Sequence, residues 1–95
     1  MCGRKLYEWD ERKRATNVRD HGVDFLDAWR FDWETAVIMV DDRERYGELR
    51  EMALGFIGVR LHAMAFTRRG DAVRIISLRK ANRVEMRRYV DAIDG

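Results

Sequence analysis

Proline is absent from the 95 residues, and there is one cysteine, Cys2. Without proline, no position is barred from donating to a sheet ladder, so continuous strands are permitted throughout. A single cysteine excludes an internal disulfide and suits a reducing compartment. Cys2, His21 and His62 lack zinc-ligand spacing, so neither a metal nor a cofactor is expected. No apolar run approaches the roughly 18–20 residues of a membrane span. The opening MCGRKLYEWD lacks the apolar core of a secretory signal, so a cytoplasmic protein with no membrane partner is expected. A glycine-rich phosphate loop, a nucleophile elbow, an HExxH helix and a paired-carboxylate pattern are also missing.

What is present is a single domain, residues 1–95, with 46% hydrophobic residues and a small core. A domain of this size is only marginally stable alone, which favours a partner. The net charge of +2 conceals a strong segregation. Residues 1–19 carry six Lys/Arg against three Asp/Glu, residues 20–59 four against ten, and residues 60–95 nine against four. The segregated charge fits either solvated faces or an anion-binding surface assembled from the two chain ends.

Residues 5–9 alternate as a short strand. Asp10 can N-cap a helix over 10–21 that stops at Gly22. Asp24 starts a second helix to about Asp32, with Phe25, Ala28 and Trp29 on one face and Val18 and Ala15 turned inward from the first. Strands follow at 35–40, from Leu49 to about Ile57, at 60–67 and at 72–79. A charged turn (41–48) and reversals at Gly58 and Gly70 join them. Asn82 and Glu85 form a capping-box pattern before the apolar stripe Met86, Tyr89, Val90 and Ile93. The expected fold is α+β: a mainly antiparallel sheet, two N-terminal helices and one C-terminal helix, all packed on one face.

The junction RIISLRKANRVE (74–85) holds the most informative chemistry. Arg79, Lys80 and Arg83 gather at a helix N-terminus, where cations are unfavourable by about 0.3–1 kcal/mol each. A bound anion would reverse that sign, so a phosphate site is one reading and solvated or partner-paired cations the other. Strict alternation puts Ser77 and Arg79 on one face and Arg74 on the other. Arg74 then suits an ion pair with an acidic residue of the middle segment. On the first helix, Lys13, Asn17 and His21 are spaced i, i+4, i+8 along one polar stripe. His21 is a proton carrier near neutral pH, or simply a cation complementing a helix C-terminus. His62 reads as half-buried and hydrogen-bonded, the three tryptophans as core or interface, and Tyr89 as core with its hydroxyl at the edge.

YEWDERKRATNVRDHGVDF (7–25) resembles the opening of the BrnT family, and RRGDAVRIISLRKANRVEMRRY (68–89) is similar to that family's closing segment. Leu78, Val84 and Asp20 depart from the usual residues there. The resemblance implies a RelE-like ribonuclease toxin of a type II toxin–antitoxin pair. Its partner would be a BrnA-type ribbon-helix-helix antitoxin in a heterotetramer that meets operator DNA only through the antitoxin. The matched positions imply Arg79, Lys80, His21 and Tyr89 as catalytic and Lys13, Asn17, Ser77 and Arg74 as RNA-binding, and Arg83, a further cation at the helix start, is expected to help hold the substrate. The reaction implied is metal-independent attack of the RNA 2′-hydroxyl. The competing expectations are a non-catalytic nucleic-acid-binding module and a subunit that only docks an antitoxin.

Overall fold

A computed structural model describes residues 6–41 and 49–95. Apart from Asp41, the charged turn expected at 41–48 lies outside the described residues. Strand β1 (Leu6–Glu8) leads into helix α1 (Glu11–His21) and a 3-10 helix (Phe25–Arg30). Strands β2 (Val37–Asp41), β3 (Arg50–Ile57), β4 (Arg60–Arg69) and β5 (Ala72–Lys80) follow, then helix α2 (Arg83–Asp94). The sheet order is β1-β5-β4-β3-β2. β2 to β5 pair antiparallel, whereas β1 joins the β5 edge in parallel. The α+β class and the mainly antiparallel sheet are as expected. Gly58 (φ 63°) and Gly70 (φ 58°) make the two tight reversals, a backbone region that costs glycine little.

The second N-terminal helix is 3-10, and shorter than expected. Asp24 accepts from the Leu26 N–H at its start. Phe25, Ala28 and Phe31 are all buried, a spacing of three that matches three residues per turn. That period rotates Trp29 off the buried face, leaving it 50% exposed rather than packed beside Phe25 and Ala28. The far end of the Phe31 ring abuts β3, where a Cβ on Gly55 would come within 2.5 Å of the ring Cζ. Trp33 donates from Nε1 to the Tyr7 hydroxyl at 2.6 Å, and that hydroxyl donates to the Ala28 carbonyl at 3.0 Å.

The helical elements do not share one face of the sheet. One apolar cluster joins Val23, Phe25, Ala28 and Phe31 to Ala53, Met64, Phe66 and Ile75. A second, on the opposite parity of β3 and β4, joins Leu54, Leu61 and Ala63 to Ala81 and Tyr89, with Met52 and Phe56 packed against it. The chain can cover both faces because β3 and β4 are apolar at successive positions, as strands buried on both sides must be. The α2 stripe is only partly buried: Tyr89 is inside, while Met86, Val90 and Ile93 are exposed. Among the described residues, no helix is long and apolar enough to cross a membrane.

Candidate functional site

α1 begins as expected, with Asp10 accepting from the Arg12 N–H, and ends with Gly22 at φ 71° donating to the Val18 carbonyl. Its inward face is different. Val18 is 43% exposed and Ala15 is exposed, while Asn17 is buried. β1 pairs only with residues 72–74 of β5, so the strand's C-terminal half has an open edge. The Asn17 carboxamide closes it. Leu78 donates its N–H to Oδ1 at 3.1 Å, and Nδ2 donates to the Leu78 carbonyl at 2.6 Å and the Val23 carbonyl at 2.8 Å. One amide thereby supplies both the donor and the acceptor a neighbouring strand would have offered. This geometry gives Asn17 a structural role.

Strict alternation also fails in β5. Ala65 pairs with Ser77 while Phe66 pairs with Ile75, so Ile76 is an extra residue, a β-bulge. Arg74, Ser77 and Arg79 then oppose Thr67, Ala65 and Ala63, alternate residues of β4, and share one face. The expectation that Arg74 faces away from Arg79 is corrected by that bulge. Arg74 Nη1 donates to Glu8 Oε1 at 3.1 Å, so its acidic partner belongs to β1 rather than the middle segment. Lys80 pairs opposite His62, on the other face, and is exposed. His62 is buried with Nδ1 2.9 Å from the Arg60 carbonyl.

Two depressions flank the C-terminal half of β5. A groove of about 280 Å³ lies against α1, lined by Arg12, Lys13, Thr16, Asn17, Asp20, His21, Ile76 and Ser77. A cleft of about 390 Å³ lies under the start of α2, lined by Arg79, Asn82, Glu85 and Arg88 with Asp41, Met39, Val40, Met52 and Leu54. Ser77 and Arg79, about 7 Å apart along the strand, belong one to each. The sequence reading missed Arg12 and Thr16 in the groove and Arg88 in the cleft, and noted Asp20 only as a departure from the family's usual residue. The spacing of Arg88, three residues after Glu85, was the available signal.

The capping box at Asn82 and Glu85 is complete. Glu85 also takes Arg79 in a two-pronged ion pair, 2.8 Å from Nη1 and 2.7 Å from Nη2. Those guanidinium hydrogen bonds hold the Glu85 carboxyl below its ordinary value, against burial, with help from the Asn82 N–H and the Arg88 charge. In the groove, a hydrogen bond from Arg19 similarly lowers the Asp20 carboxyl. Tyr89 is buried, edge-on to Phe56, and its hydroxyl donates to the Thr35 carbonyl at 2.9 Å. That partner anchors α2 to the loop before β2. Arg83 is exposed beside Met86, Arg87 and Val90, away from the cleft. Among the described residues, no group of three or more His, Cys, Asp or Glu is placed to hold a metal ion.

The family model described as the ribonuclease toxin BrnT of type II toxin–antitoxin systems matches residues 9–85. The chain belongs to the BrnT family. No curated protein matches it. The BrnT match spans α1, the whole sheet from β2 to β5 and the first turn of α2, and so includes the groove and every lining residue of the cleft except Arg88. Toxin, toxin–antitoxin system and ribonuclease are thus the functional terms that membership supplies, with an antitoxin as the partner class.

Proposed function

We propose that this BrnT-family chain is a RelE-like endoribonuclease that cleaves RNA by attack of the 2′-hydroxyl, without a metal ion, in the cytoplasm. The observation that carries this reading is the placement of Ser77 and Arg79 on one face of β5, between a groove holding Lys13 and His21 and a cleft holding Arg88. Such cleavage requires a proton acceptor, cationic stabilisation of a dianionic phosphorane and a proton donor to the leaving 5′-oxygen. His21 is the candidate proton carrier and Arg79 the transition-state clamp. Lys13, Ser77 and Lys80 contact the RNA strand, and Arg83 extends the basic track. Asn17 and Tyr89 serve as supports, because each is tied to backbone carbonyls, and Arg74 does so because it pairs with Glu8 and lines neither depression.

The proposed partner is a BrnA-type ribbon-helix-helix antitoxin, joined in a heterotetramer and making the only contact with operator DNA. Met86, Val90 and Ile93, between 38% and 58% exposed, form an apolar strip beside Arg83 and Arg87. That strip fits an amphipathic antitoxin segment with acidic flanks.

Purified chain freed of partner should cleave RNA in the presence of a chelator and leave 2′,3′-cyclic phosphate ends. A folded preparation that binds RNA without cutting it would instead support a non-catalytic binding module. One that binds only its antitoxin would support a docking subunit.

A further inference from the structure

Glu85 makes more contacts than starting a helix requires. A capping box uses one carboxylate oxygen, and here Oε1 accepts from the Asn82 N–H at 2.9 Å. Both oxygens are nevertheless engaged by Arg79, and the residue is only 8% exposed. Fork-to-fork pairing fixes the plane of a guanidinium as well as its position. The joint is also rigid at both ends, because Arg79 sits at the end of β5 and Glu85 in the first turn of α2, with only Lys80–Asn82 and Arg83–Val84 between them.

We infer that Glu85 is a positioning residue for Arg79, setting the guanidinium plane on the face shared with Ser77 and tempering its charge toward RNA. This rests on the ribonuclease reading and adds a division of labour to it. An arginine of undiminished charge would bind the phosphodiester monoanion of bound RNA strongly. Such ground-state binding lowers KM without raising kcat. A guanidinium that shares a carboxylate attracts the monoanion less, and still meets the extra negative charge that develops in the phosphorane. Orientation supplies the rest, since a preorganised donor needs no rearrangement as that charge appears. Arg88, three residues on and lining the same cleft, adds a smaller pull in the same direction on the carboxylate.

The test is the pair Glu85→Gln and Glu85→Asp, assayed on RNA under steady-state conditions. The Gln amide oxygen still accepts the Asn82 N–H, so the helix start is retained. Loss of the counter-charge should lower KM by about 3–10-fold while loss of orientation lowers kcat by about tenfold or more. Glu85→Asp keeps the charge but shortens the reach, so its kcat should fall with KM close to that of the parent. In an Arg79→Ala background, Glu85→Gln should change kcat by less than about twofold, as expected if it acts only through Arg79. A destabilised but otherwise unaltered site would lower apparent kcat through lost active protein and leave KM unmoved, so the fall in KM of Glu85→Gln, with kcat referred to folded enzyme, separates the two. Unchanged constants in Glu85→Gln, or full additivity with Arg79→Ala, would overturn the inference while leaving the ribonuclease reading intact. Parent protein inert toward RNA would remove both together.

Discussion

The two depressions beside β5 hold their cations in opposite ways. In the α1 groove, Arg12, Lys13 and His21 are exposed and make no side-chain ion pair among the described residues. In the α2 cleft, Arg79 is 28% exposed and gripped by both oxygens of Glu85. Exposed, unpaired cations attract a polyanion over distance but are screened by salt and fix no geometry. A paired, partly buried guanidinium attracts less and orients more. Under the proposed ribonuclease reading, the difference would put capture of the strand in the groove and placement of the scissile phosphate in the cleft. Experiments that separate affinity from turnover therefore test the comparison directly.

The largest effect is expected from Arg79→Ala. Removing a preorganised transition-state donor should lower kcat by about 10²–10³-fold. Glu85 would be left buried without its guanidinium, so melting should also show a loss of about 1–3 kcal/mol. Cleavage at the parent rate would end the assignment of Arg79 to the reaction. Next comes the junction between the two regions. Asn17→Ala strips the Leu78 N–H and carbonyl of their partners, and urea unfolding should show a loss of about 2–3 kcal/mol. Because Asn17 seats α1 on β5, RNA affinity should weaken in the fraction that remains folded. Full stability in that variant would mean that water satisfies the β5 edge and that the groove is held by other contacts.

This junction also marks the limit of what the chain discloses by itself. Asp10, Gly22, Asn82 and Glu85 were legible because a cap is local chemistry, settled within four residues. The hairpins at Gly58 and Gly70 were legible for the same reason. The inward turn of Asn17 was not, since it answers an open strand edge 61 residues away. Helical periodicity favoured Val18 for that place. The bulge at Ile76 was hidden as well, because RIISLR has no glycine to mark it and its register is set by β4. Arg79 and Glu85 were each singled out, one as a clamp and one as a cap. Their pairing crosses a strand–helix joint that no single period describes. The stripe on α2 was read correctly as amphipathic, but what covers it is a question of partners, and the chain alone leaves Val90 and Ile93 half exposed.

A smaller effect should follow from Lys13→Ala in the groove. One lost phosphate contact on single-stranded RNA should reduce the slope of log K against log salt by about 0.7. Affinity should fall a few-fold at low salt, with the difference narrowing as salt rises. An unchanged slope would remove Lys13 from the RNA track and weaken the assignment of capture to this groove.

The smallest expected effect concerns acid, and it probes the cleft without RNA. Arg79 holds the folded Glu85 carboxyl below its ordinary value of 4.5, so the unfolded chain binds the proton more readily. That contribution to stability is fully present above the ordinary value and is lost as pH falls through the lower, folded one. Asp24, lowered chiefly by its hydrogen bonds from Arg14, titrates in the same direction from 3.8. Thermal melts should therefore be nearly level from pH 7 to about 5 with respect to these groups and decline below about 4.5. Glu85→Gln, having no proton to take up there, should decline less steeply, and Asp24→Asn should flatten the curve further down. If Glu85→Gln tracked the parent through the acid range, the carboxylate would gain nothing from Arg79 on folding. The contrast between a paired cleft and an unpaired groove would then rest on distances without energetic weight.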